Sequence, residues 1–145
     1  MRKRAHRVRR PAVVPCLVAV GLNTTHEATM LQAVQSFRAG RATADHFLDL
    51  CDARDITVIA HNAQGRDVPG MVPAMEAAQI ALLNIRDRRQ DTGKFGATGD
   101  ELAALALLAD FYMSFWLAQS GDLFRKARTE LHRIRREQES RERAA

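Results

Sequence analysis

Along most of this chain the apolar residues recur at helical rather than strand spacing. Met30, Ala33, Val34 and Phe37 step by three and four onto one face. Thr24 and Glu27 ahead of them fit the S/T-x-x-E capping box, and Gly40 is a natural stop, so residues 23–40 read as a helix. Thr43 then makes a plausible N-cap, with Asp45 in the first turn where the helix dipole favours an acid. Phe47, Leu48, Cys51, Val58 and Ile59 are expected to share the buried face of this second helix. The run Ile56-Thr57-Val58-Ile59 is β-branched and leaves a strand open there. The absence of Gly and Pro from Thr43 to Gln64 favours one long helix.

The stretch "GRDVPG" marks a loop, and Pro73 suits the first turn of a third helix. Met71, Met75, Ala78, Leu82 and Ile85 form a seam, either internal or a dimer face. Arg86, Arg88 and Arg89 lie at its end, where cations are favoured, and Gly93 closes it. Thr98 and Glu101 make another capping box. From Leu102 to Ala118 only Asp110 and Ser114 are polar, which predicts the most buried helix of the protein. Asp110 either faces solvent or pairs with an arginine, and a structural ion pair is expected ahead of a catalytic acid. After Ser120 and Gly121, Leu123, Phe124, Ala127, Leu131 and Ile134 line one side of a last helix whose other side is rich in arginine.

These elements predict an all-α fold, a bundle of about five antiparallel helices with short loops. Residues 1–22 form a basic, partly extended arm, 23–138 the bundle, and 139–145 a frayed tail. A single domain of 145 residues can bury a core without staples.

Charge refines this picture. The net charge is +5, but it is concentrated at the ends. Residues 1–10 hold Arg2, Lys3, Arg4, Arg7, Arg9 and Arg10 with no acid, and the residues from Asp122 onward are again basic, while the middle is mildly acidic. Basic ends on a near-neutral body suggest arms or a single basic helix rather than a broad basic footprint. The basic start followed by "PAVVPCLVAVGL" has the order of a secretory signal. Pro15 interrupts the run and no clear small-x-small cleavage site follows, so a cytoplasmic protein with reduced Cys16 and Cys51 is the expectation.

Candidate chemistry is sparse. "TGKFGATGDE" resembles a phosphate loop, yet a P-loop needs a glycine five positions before Gly93, where Arg88 stands, and Ser or Thr after the lysine, where Phe95 stands. It reads as a helix stop, a loop and a capped start, with Lys94 left near that start as a candidate partner for an anion. A membrane span is short of length and carries Asp110 at its centre. Asp45, His46, Asp49 and Asp52 read as a solvated acidic face rather than a metal site, and no serine stands in a nucleophile-elbow context. No metal, cofactor or catalytic residue is assigned. "SFRAGRATADHFLDL" has the glycine turn of a helix-turn-helix, but His46 and Asp49 stand where apolar residues belong.

The segments "FRAGRATADHFLDLCDA" and "AMEAAQIALLNIRDRRQDTGKFGATGDELAALALLADF", with the basic end, resemble small helical proteins of proteobacterial prophages and plasmids. The likeness spans much of residues 23–136. Some of those proteins carry the label of Fis family transcriptional regulator. The resemblance implies a helical fold and a mobile-element setting, and supplies no binding residues. The Fis reading helix is not matched at 98–136, where it would have to include "FYMSFWLA".

The leading expectation is a non-enzymatic accessory or regulatory protein that contacts DNA through its basic ends. The residues are those six of the arm together with Arg125, Arg128, Arg135 and Arg136 of the last helix. The alternative is an adaptor or inhibitor that docks a protein partner, or self-associates, through its helices. No membrane partner is expected.

Overall fold

In the computed structural model, residues 28–145 are described. The arm, Cys16 and the Thr24–Glu27 capping box lie outside the described residues. Five helices and no strand are present among the described residues. They are α1 (residues 28–38), α2 (Ala44–Gln64), α3 (Met71–Thr92), α4 (Gly99–Leu117) and α5 (Gly121–Ala144).

Each boundary has a local cause. The N-terminus of α2 is tied by Thr43, whose backbone N–H donates to Nδ1 of His46 at 3.0 Å. His46 thus takes the place that Glu or Gln holds in the usual capping box. Gly70 ends the loop before α3 with φ 79°, and a Cβ there would come within 3.1 Å of the Phe111 ring. Only glycine combines that left-handed backbone with so close an approach. At α4, Thr98 Oγ1 accepts from the Glu101 backbone N–H at 3.3 Å, and the Glu101 carboxylate accepts from the Thr98 N–H at 2.9 Å. Both expected halves of that capping box are in place. Ser120 caps α5 through Leu123 N–H at 3.4 Å.

The residues 56–59 are helical, within one uninterrupted α2. The buried face of α2, however, is not the one the apolar pattern predicts. Leu50, Ala53, Ile56, Thr57, Ala60 and His61 are inward. Leu48 is exposed, and Phe47, Cys51, Val58 and Ile59 flank the core only partly buried. The expected face is rotated from the true one because the β-branched pair 58–59 draws it off Leu50.

Antiparallel packing is evident from the cross-links. Arg54 of α2 donates to Gln79 Oε1 of α3 at 2.7 Å. Arg88 near the end of α3 reaches Glu101 at the start of α4. Met71, Met75, Ala78, Leu82 and Ile85 are all buried, so the α3 seam is internal. The helix α4 contributes Leu105, Leu108, Ala109, Tyr112, Phe115 and Trp116 to the core. Around Trp116 an aromatic cluster forms, with Phe115 at 5.0 Å and Phe124 of α5 at 5.1 Å between ring centres, both edge-to-face.

The helix α4 is not buried all round: Ala103, Leu107, Asp110, Ser114 and Leu117 form an outer strip open to solvent, with Leu117 67% exposed. Asp110 belongs to that strip, faces solvent and makes no ion pair with any described residue. No helix among the described residues is long and apolar enough to cross a membrane.

Candidate nucleic-acid interface

The helix α5 rests on the body through Phe124, Ala127 and Leu131, with Leu123 and Ile134 at the flanks. From Arg136 onward every residue is exposed, and the helix runs past Gln138 to Ala144. Its last turns therefore stand clear of the bundle. Arg141 and Arg143 lie on this overhang, in the last turn, where they complement the helix dipole. Sequence patterning alone omits them, because it assigns residues 139–145 to a frayed tail.

Charges on α5 are sorted by side. Arg133 donates to both Glu130 and Glu137, one turn away in each direction. These hydrogen bonds hold the Glu130 carboxyl below its usual range and push the Arg133 guanidinium up. Asp122 is taken by Lys126 at 2.9 Å and lies 3.6 Å from Arg125, and the Lys126 hydrogen bond keeps its pKa low. That side of the helix is internally neutralised.

The other side is different. Arg125, His132, Arg136 and Arg143 recur at steps of seven, four and seven, which puts them on one helical stripe with Arg128 beside it. All are exposed. Arg128, Arg136, Arg141 and Arg143 form no ion pair with a described carboxylate. From Arg125 to Arg143 the stripe runs about 27 Å at 1.5 Å per residue, most of one turn of duplex DNA.

Arg135 does not belong to this set. It turns inward to Asp52 of α2, with Asp55 at 3.7 Å, and its pKa is raised by those carboxylates against the cost of its burial. It fastens α5 to α2, and Asp52 is thereby occupied. Of the four arginines expected on the last helix, the structure thus brings Arg125, Arg128 and Arg136 together on the open side and sets Arg135 apart. Arg2, Lys3, Arg4, Arg7, Arg9 and Arg10 lie outside the described residues.

Other groups with chemical potential are engaged elsewhere. His46 caps α2, and Nε2 of His61 accepts from the Val68 N–H at 3.1 Å, pinning the loop before α3. Burial, reinforced by Asp55 and Asp52, pushes the Cys51 thiol up to about 12. Among the described residues no group of three or more His, Cys, Asp or Glu is placed to hold a metal ion.

No protein-family model matches the chain, and no match is found among curated proteins or solved structures.

Proposed function

We propose that this protein is a non-enzymatic accessory or regulatory DNA-binding protein of a mobile element, and that α5 is its contact surface among the described residues. The observation that supports this reading is the exposed stripe of Arg128, Arg136 and Arg143 with Arg125 at its start, on a helix that projects from the body. Arg128, Arg136 and Arg143 form no ion pair with a described carboxylate, although Glu139 shares their stripe and Asp49 and Asp52 line the pocket beside Arg128. Lys and Arg that are already paired gain little from a phosphate. Unpaired ones release counterions from DNA when they bind, and this drives salt-dependent association. The arm residues Arg2–Arg10 would add a second basic segment of the kind that enters a minor groove.

The test is duplex binding at a series of salt concentrations. Arg128→Gln with Arg136→Gln should weaken binding and lower the log–log salt slope by about 2, near one for each phosphate no longer neutralised. Arg133→Gln should leave the slope unchanged, because Arg133 is spent on Glu130 and Glu137. Equal effects from both sets, or affinity indifferent to salt, would overturn the reading.

A protein-binding adaptor is the second reading, supported by the outer strip of α4 with Leu107 and Leu117 exposed. Leu107→Asp with Leu117→Asp should abolish partner capture on that reading and leave DNA binding intact on the first.

A further inference from the structure

We infer that the corner where the α1–α2 turn meets the α3–α4 loop is a phosphate-binding cleft. Gly40, Ala42, Thr43 and Ala44 of the turn, the loop at residues 93–96 and Arg89 line an open space of about 570 Å³. No Asp or Glu lines it. Arg89 and Lys94 do, and neither forms an ion pair with a described carboxylate.

The cleft is held in shape by residues that the ligand does not need. Arg88 donates to the Gly96 carbonyl at 2.7 Å and to both carboxylate oxygens of Glu101 at 2.9 and 2.8 Å. This clamp fixes the loop against the start of α4, so little ordering is left to be done on binding. Arg89, the next residue, goes the other way. Its guanidinium lies 5.2 Å from the centre of the Phe95 ring, which stacks at 5.4 Å on Phe47. A guanidinium resting on a ring face keeps its in-plane N–H donors free for an acceptor at its edge.

Two cations that line one cleft without an acid leave it positively charged, and an anion bound there is attracted to both. A phosphate group fits the pair: arginine binds two of its oxygens through a planar fork, and lysine adds a point charge. Gly96 contributes to access, since nothing lies within 4 Å of where its Cβ would stand. The ligand class is a phosphate monoester or diester, carried either by a nucleic-acid backbone or by a small phosphorylated molecule.

The cleft does not depend on the α5 reading, and its test is made without DNA. Inorganic phosphate is titrated into the isotope-labelled full chain at constant ionic strength, and backbone amide shifts are monitored. Saturating shifts are expected at residues 42–44 and 93–96, with affinity falling about tenfold or more in Arg89→Gln with Lys94→Gln. Arg136→Gln should leave that affinity unchanged. Shifts that rise linearly and are matched by chloride, or an undiminished affinity in the double variant, would overturn the inference. Circular dichroism should show both variants fully helical, since the side chains replaced are exposed. Duplex binding then separates the sources. A salt slope lowered in Arg89→Gln with Lys94→Gln assigns the cleft to the nucleic-acid backbone, and an unchanged slope assigns it to a small phosphorylated ligand.

Discussion

The indole N–H of Trp116 donates to the hydroxyl of Thr57 at 3.1 Å, deep between α4 and α2. Thr57 is 0% exposed and Trp116 3%. A polar pair this buried is tolerated because the donor and the acceptor meet. Replacing Thr57 by Val keeps the shape and removes the acceptor, leaving the indole N–H without it. We expect a loss of about 1–3 kcal/mol in urea unfolding. Trp116 is the sole tryptophan, so its emission reports the transition directly. Unchanged stability in Thr57→Val would show that the pair contributes nothing net.

The capped start of α4 should be acid-sensitive. Hydrogen bonds from Arg88, assisted by Thr98, hold the Glu101 carboxyl below the usual range. A depressed pKa contributes stability that is present above the unfolded value, near 4.3, and lost as pH falls through the folded one. Glu101→Gln should therefore flatten the decline of the urea midpoint below about pH 4. Thr98→Ala should cost roughly 1 kcal/mol, measured at neutral pH. A decline of the same steepness in Glu101→Gln would remove Glu101 from the acid transition.

Cys51 should behave as an inert thiol. Its pKa rises from 9.0 to about 12, chiefly through burial and then through Asp55 and Asp52. In a Cys16→Ser background, a disulfide reagent at pH 8 should react far more slowly with the folded chain than with the urea-unfolded one. The raised pKa also adds stability below the unfolded value that is lost as pH climbs toward the folded one. Cys51→Ala should accordingly lose less stability than the parent between about pH 9 and 12. Fast labelling of the native protein would contradict the raised pKa.

The two sides of α4 should respond very differently to truncation. Leu105 is 0% exposed, and Leu105→Ala should cost about 2–5 kcal/mol by urea unfolding. Leu117 is 67% exposed, and Leu117→Ala should stay within about 0.5 kcal/mol. Comparable losses at both positions would mean that the outer strip is covered in solution.

Much of this architecture is legible in spacing and caps. Met30 to Phe37, the Met71–Ile85 seam and the Phe124–Leu131 face are carried by local periodicity, and each is buried. The Thr98–Glu101 box and the left-handed Gly93 obey rules that involve only neighbours in sequence. The phase of α2 is harder. Its buried face includes Thr57 and His61, polar residues made acceptable by partners on other segments, Trp116 and Val68. His46 as a cap escapes the pattern because the expected signature has Glu or Gln at that position.

For the candidate interface, the sequence locates the arginines and cannot rank them. Arg135 and Arg136 are adjacent in the chain. One is drawn to Asp52 and the other is left in solvent, because about 100° of rotation per residue separates them around the helix axis. Likewise the sequence places Lys94 near the start of α4. Folding brings it, Arg89 and the turn that precedes α2 to the lining of one cleft.

The sequence by itself determined the helices, most of their described ends and the basic last segment, because caps, breakers and periodicity act over a few residues. Only the tertiary structure decided which charges are already spent and which remain free. That depends on which carboxylates other helices bring within reach, and such pairings join residues as distant in the chain as Asp52 and Arg135.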